Sequence, residues 1–156
     1  MDLVYSGDSY QKLKKSIFLA GPTPRDKDVL SWRGEAIELF LKHGFDGTLV
    51  IPEEMNKPYY ENENNYEEIK WDLKALMDSD VVMMWIPRSS DMLGLSSNVE
   101  FGYLLNKGNM IYGRPNEAFR CELLDYLYKE KLGREYADSL EKTVMETIKF
   151  INRKEL

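Results

Sequence analysis

Apolar residues in this chain fall into short continuous runs and longer stretches with helical spacing, and the two kinds alternate. Ser16-Ile17-Phe18-Leu19-Ala20 is a short apolar run stopped by Gly21-Pro22-Thr23-Pro24, which reads as a strand and its exit loop. The spacing then predicts a helix from about Val29 to His43, with Trp32, Ala36, Ile37 and Phe40 on one face and Gly44 as its stop. Thr48-Leu49-Val50-Ile51 is the next strand, closed by Pro52. A second helix is predicted from about Asn65 to Met77, with Ile69, Leu73, Leu76 and Met77 on one stripe. Val81-Val82-Met83-Met84-Trp85-Ile86 is apolar at consecutive positions, as a strand covered on both faces must be. A polar loop, a short helix from about Asn98 to Asn106 and a strand Met110-Ile111-Tyr112 ended by Gly113 follow. Two helices close the chain. One runs from about Asn116 to Leu132; the other starts near Asp138 and carries Leu140, Val144, Ile148 and Ile151 at helical spacing.

Strands alternating with helices predict an α/β fold, a doubly wound parallel sheet with helices on both faces. Such sheets bind ligands in the crevice at the carboxyl ends of their strands. Chemistry is therefore expected in four loops: Gly21 to Arg25, Pro52 to Glu54, Pro87 to Glu100, and Gly113 to Pro115. No internal repeat is present, and the polar stretch Glu61-Asn62-Glu63-Asn64-Asn65 reads as a surface loop, not a linker. A length of 156 residues fits one domain spanning 1–156.

Composition narrows the functions. Hydrophobic residues at 43% and charged residues at 31% are those of an ordinary globular protein. The single cysteine, Cys121, can make no internal disulfide, and with a non-basic start at Met1-Asp2-Leu3 it points to a cytoplasmic setting. The longest apolar run, Val81 to Ile86, is too short to span a bilayer, so no membrane partner is expected. A net charge of −6 argues against a nucleic-acid polymer as partner but leaves room for a nucleotide monomer, which needs only local cations.

Candidate chemistry is carried by carboxylates. Glu100, in Ser97-Asn98-Val99-Glu100-Phe101-Gly102-Tyr103, is read as lying in the first turn of a helix at the sheet's carboxyl edge. The spacing Ser97-x-x-Glu100 is equally that of a capping box, in which both side chains merely satisfy free N–H groups. Asp72 lies at the edge of an apolar stripe, where a carboxylate must be solvated, paired or used. Asp91 sits in the loop toward the same crevice, or simply makes a turn there. Two or three converging carboxylates would suit glycoside chemistry, one attacking the anomeric carbon while another assists the leaving group. Thr23 and Arg25, between a strand and a helix, and Arg114, after the fourth strand, could hold a phosphate or form surface ion pairs. Trp71, Trp85 and Tyr103 could stack on a base or belong to the core. The chain has no G-x-x-x-x-G-K-[ST] or G-x-G-x-x-G loop and no cysteine–histidine cluster, and its only histidine, His43, stands at a helix end. Neither a metal nor an organic cofactor is expected.

Seven ordered blocks resemble the nucleoside 2-deoxyribosyltransferase-like proteins: Ile17 to Arg25, Ser31-Trp32-Arg33, Ile51-Pro52-Glu53, Ile69-Lys70-Trp71-Asp72, Trp85-Ile86-Pro87-Arg88, Ser97 to Tyr103, and Gly113-Arg114-Pro115. The resemblance implies a flavodoxin-like fold and a glutamate nucleophile that carries a covalent deoxyribosyl group, falling here on Glu100. The acidic helix residue near the base falls on Asp72, and the loop aspartate on Asp91, in a loop a few residues longer than in well-known transferases. Gly21, Thr23, Arg25, Trp71, Ser97, Asn98 and Arg114 are the substrate-binding candidates, with Asn98 orienting Glu100 or the sugar hydroxyls. The resemblance implies transfer of a 2-deoxyribosyl group from a nucleoside or nucleotide to a free base. Relatives that hydrolyse nucleoside 5′-monophosphates share a hydroxyl residue and an arginine after the first strand, as in Thr23 and Arg25. Ile17 stands about where familiar transferases have a tyrosine, which leaves hydrolysis as an alternative to transfer; a separate alternative is a nucleotide-binding module that has lost turnover. In several relatives a neighbouring subunit completes the site, so a homo-oligomer is expected.

Overall fold

The computed structural model describes residues 1–9, 15–24, 26, 28–55 and 66–154. Among the described residues, β1 (Asp2–Tyr5), β2 (Ser16–Ala20), β3 (Thr48–Ile51), β4 (Val81–Trp85) and β5 (Met110–Gly113) form one parallel sheet in the order β1-β3-β2-β4-β5. The helices are α1 (Trp32–Lys42), α2 (Tyr66–Asp78), α3 (Leu95–Leu104), α4 (Glu122–Leu132) and α5 (Leu140–Lys154). None of the described helices is long and apolar enough to cross a membrane.

Side chains alternate across the sheet and divide the core in two. Phe18, Ala20, Val50, Val82, Met84 and Tyr112 face α2, α3 and α4 through Leu76, Phe101, Leu104, Leu124 and Tyr128. Ile17, Leu19, Leu49, Ile51, Val81, Met83 and Trp85 face α1 and α5 through Trp32, Ala36, Phe40, Leu140, Val144 and Ile151. Every residue of β2, β3, β4 and β5 is buried, which is why these strands read as unbroken apolar runs. The doubly wound, flavodoxin-like α/β arrangement expected from the sequence is the one observed.

Four local expectations need correction. The edge strand β1 was not anticipated; it pairs only with β3, and half its residues are exposed, so it has no apolar run to show. Helix α3 begins at Leu95, three residues before the predicted Asn98, because Gly94 takes a left-handed backbone (φ +63°) that allows the turn there. Helix α4 begins at Glu122, not near Asn116, since residues 114–121 form a loop. On α2, Ala75 and Leu76 are buried while Ile69 and Leu73 are 47% and 48% exposed, so the core-facing stripe lies to one side of the predicted one. The predicted start of that helix at Asn65, and the loop Glu61 to Asn65, lie outside the described residues.

Strand β2 lies between β3 and β4, so the chain reverses direction across the sheet beside it. This is the switch point where an open α/β sheet leaves a crevice. Its walls touch. A Cβ on Gly21 (φ +142°) would stand 2.0 Å from the carbonyl oxygen of Trp85, and one on Gly94 would stand 2.4 Å from Pro22 Cγ. Only glycine permits both the conformation and the approach.

Candidate active site

The crevice is organised by a side chain on the opposite face of the sheet from α2 and α3. Arg33, in the first turn of α1, is 2% exposed. Its Nε donates to the Leu19 carbonyl (3.0 Å), Nη2 to the Gly21 carbonyl (2.8 Å), and Nη1 to Thr23 Oγ1 (3.1 Å) and Glu53 Oε1 (2.6 Å). Burying a guanidinium is costly unless its donors are satisfied and its charge is balanced. Here carbonyls satisfy part of it and Glu53 supplies the balancing charge. Ser31, the N-cap of α1, accepts from the Arg33 amide and donates to the same Glu53 oxygen at 2.8 Å. The neighbouring Trp32 donates from Nε1 to the Pro22 carbonyl at 2.9 Å. The loop after β2 is thus tied to α1 at Gly21, Pro22 and Thr23.

Across the crevice, Glu100 stands in the second turn of α3. The helix has Gly94 as its N-cap and makes no side-chain cap bond, so Ser97 and Glu100 do not form a capping box. Ser97 is buried at the third helical position. Glu100 is half-buried, and burial raises its pKa against the opposing pull of the Arg33 charge. Asp72, on the adjacent α2, is also half-buried, and its Oδ1 is enclosed with no hydrogen-bond partner. Burial, then the charges of Glu68 and Glu100, push its pKa up to about 7, with Arg33 opposing. Helices α1, α2 and α3 therefore bring Arg33, Asp72 and Glu100 into electrostatic contact. Sequence spacing could not show this convergence, because it depends on the strand order.

The remaining candidates are dispersed around this centre. Asp91 is exposed in the loop between β4 and α3, where its carboxylate accepts from Ser90 Oγ (3.2 Å) and its amide donates to Ser89 Oγ (3.3 Å). Asn98 Oδ1 accepts from Arg88 Nη2. Because arginine only donates, this fixes the amide with its Nδ2 donors turned away from Arg88. Trp71 is half-buried and donates from Nε1 to the Asp8 carbonyl at 2.8 Å, while Trp85 is core and Tyr103 is exposed. Arg114 forms a two-point pair with Asp125 (Nη2 to Oδ2 2.8 Å, Nε to Oδ1 3.1 Å) and lies 4.1 Å from the Tyr136 ring centroid. Its Nη1 donates to the Pro115 and Asn116 carbonyls, so its donors are engaged within the protein. Arg25 lies outside the described residues.

Three groups at this edge were not singled out from the sequence: Arg33, Glu53 and Arg88. Arg33 had a legible signal, since it sits with Ala36, Ile37 and Phe40 at positions i, i+3, i+4 and i+7, a charge on an apolar stripe. Glu53 had only its place after a strand. Arg88 is buried, donates to the Arg120 carbonyl at 2.8 Å and leaves Nε without a partner; nothing in its loop sequence announces that.

These features define a class: a flavodoxin-like α/β domain that gathers two desolvated carboxylates and one buried cation at its switch point. The profile of the family described as nucleoside 2-deoxyribosyltransferase like matches residues 14–118, more than half of the chain, and the chain belongs to that family. The matched segment runs from β2 through β5 and contains Arg33, Asp72 and Glu100. No curated protein matches the chain significantly. At the level of the family, the function is nucleoside-processing glycosyl transfer, with small-molecule nucleosides and bases as partners.

Proposed function

We propose that this chain cleaves the N-glycosidic bond of a 2′-deoxynucleoside or its nucleotide through a covalent intermediate on Glu100. The observation that carries this reading is the Asp72–Glu100 pair, two desolvated carboxylates in electrostatic contact, one of which holds its proton to about pH 7. A Glu100 oxygen attacks C1′, the C1′–N bond breaks with its electron pair moving to the base, and Asp72 gives the base its proton. A nitrogen of a second base then attacks C1′, displaces Glu100, and its proton returns to Asp72. Asn98 offers its Nδ2 donors to the sugar, and Asp91 stands at the rim for a group of the sugar or base. Gly21, Thr23 and Trp71 are assigned to binding the substrate, whereas Ser97, 1% exposed, is closed to it.

Hydrolysis of 5′-monophosphates is the second reading, favoured by the N-terminus of α3. No side chain caps it, and free N–H groups at a helix start suit a phosphate. Chromatography of deoxynucleosides and their 5′-monophosphates, with and without a second free base, decides between the two. Exchange of bases is expected. Release without exchange, chiefly from monophosphates, moves the assignment to hydrolase, and no release from any substrate sinks both.

The reading includes a cytoplasmic homo-oligomer. Beside the carboxylates, Tyr66, Ile69 and Leu73 on α2 and Leu95, Val99 and Tyr103 on α3 repeat at helical spacing and are exposed. Apolar faces of this kind mark association surfaces. Light scattering should give a mass that is a multiple of the chain mass, and Leu73→Glu with Val99→Lys should reduce it to one chain. A monomeric wild type would refute this part.

A further inference from the structure

Arg33 and Arg114, at the carboxyl edge of the sheet, are each paired with an acid, Glu53 at 2.6 Å and Asp125 at 2.8 Å. Arg88, buried just past the end of β4, has no ion pair among the described residues. Its contacts are neutral. Nη1 donates to the Arg120 carbonyl at 2.8 Å, Nη2 donates to Asn98 Oδ1, and Nε has no partner. Arg120 holds a left-handed backbone (φ +54°), which a non-glycine residue keeps only where its surroundings enforce it. An aspartate at position 98 would suit this arrangement better. It has the same shape, gives the buried cation a counter-charge, and would be the first acid in the opening turn of α3, where the helix dipole favours one. Stability therefore favours Asp, yet the chain has Asn. What asparagine has and aspartate lacks is an amide nitrogen. Arg88 only donates, so Oδ1 is committed to it and both Nδ2 hydrogens turn away, on an exposed side chain two residues before Glu100. Nδ2 has no partner among the described residues. A departure from the locally stable choice is expected where a side chain serves a ligand.

We propose that Arg88 is a positioning residue: by holding Oδ1 it makes Asn98 a pure hydrogen-bond donor, presented to an acceptor oxygen of the substrate. The inference rests on the reading of this site as one for a deoxynucleoside or its nucleotide. It adds what the position selects, a lone pair on the substrate and never a donated proton. Arg88 also ties α3 to the loop of residues 114–121 through the Arg120 carbonyl, so the amide is fixed from two elements at once.

The test compares Asn98→Asp and Asn98→Ala with wild type in thermal melts at pH 7 and in kcat/KM for base release from deoxynucleosides and their 5′-monophosphates. Asn98→Asp should melt about 2 °C or more above wild type, and Asn98→Ala, which strips Arg88 of a partner, below it. Activity should follow a different order. The alanine variant loses the donor and should fall about tenfold; the aspartate variant meets the substrate oxygen with another acceptor and should fall about 100-fold. A side chain that merely anchored Arg88 would give one order in both measurements. Arg88→Met should lose what Asn98→Ala loses, and the double variant no more, as for two residues acting as one unit. Arg88→Lys keeps a charged donor and should regain part of that loss; it replaces Arg88→Met in the comparison if the latter does not fold. Wild-type kcat/KM in Asn98→Asp, or losses that add in the double variant, overturn the proposal. So does an Asn98→Asp that melts below wild type, a result that needs no turnover. Wild type that binds these compounds but releases no base defeats the proposed function alone, and affinities by calorimetry then replace kcat/KM with the same order expected; wild type that binds none of them overturns both.

Discussion

Glu100→Gln is expected to lower base release by on the order of 10⁴-fold while leaving the protein folded and no less stable at neutral pH. Two features lead to this result. The amide cannot attack C1′, so the covalent step is lost. The helix does not depend on the carboxylate, because α3 starts at Leu95 and Glu100 caps nothing. Stability has a definite sign as well. Burial raises the folded-state pKa of Glu100, so the folded protein disfavours the ionised form. That cost is absent at low pH, grows as pH rises through the unfolded value, and is fully present above the folded one. The glutamine variant escapes it. Denaturant melts at pH 5 and pH 8 beside single-turnover base release test both halves. A folded variant that keeps a tenth of wild-type activity would remove Glu100 from the chemistry.

Asp72→Asn should show the same linkage on a larger scale. The folded-state value of about 7 lies well above an ordinary aspartate, with burial as the main cause and Glu68 and Glu100 adding to it. Wild type therefore loses stability relative to Asp72→Asn as pH rises from about 4 to about 7, by on the order of 3 kcal/mol at roughly 1.4 kcal/mol per pKa unit. Kinetics should follow the same proton. With Asp72 as the acid, kcat/KM of wild type falls as pH rises through about 7, and the asparagine variant loses both most of its rate and that limb. Matching stability profiles for the two proteins between pH 4 and pH 8 would show that Asp72 is not the titrating group.

The parts of this fold that the sequence shows plainly are those buried on both sides. Strands β2, β3 and β4 have no polar interior position, and no other element type is short and wholly apolar. Strand β1 escapes notice because an edge strand with half its residues exposed looks like a polar terminus. Helix α2 misleads for a different reason. Ile69 and Leu73 are apolar at the right spacing, yet they face outward, so periodicity alone points the helix the wrong way. The Ser97–Glu100 spacing misleads similarly; the left-handed Gly94 was the informative residue. Asp72 was visible as an acid at the edge of an apolar stripe and Glu100 as one at the sheet's carboxyl edge, but their meeting rests on β2 lying between β3 and β4, a long-range fact. Arg33 was visible as a charge on an apolar face, and only the contacts show what it serves.

The family match ends at residue 118, before α4 and α5. Helix α5 lies against β4 and β5, on the side of the sheet away from Asp72 and Glu100. Helix α5 packs on α1 as well, so a change in its packing reaches the carboxylates only by way of the helix that carries Arg33, with the five-stranded sheet standing between. The melting temperature can therefore be altered through the outer face of α5, and is coupled to the chemistry where α5 meets α1.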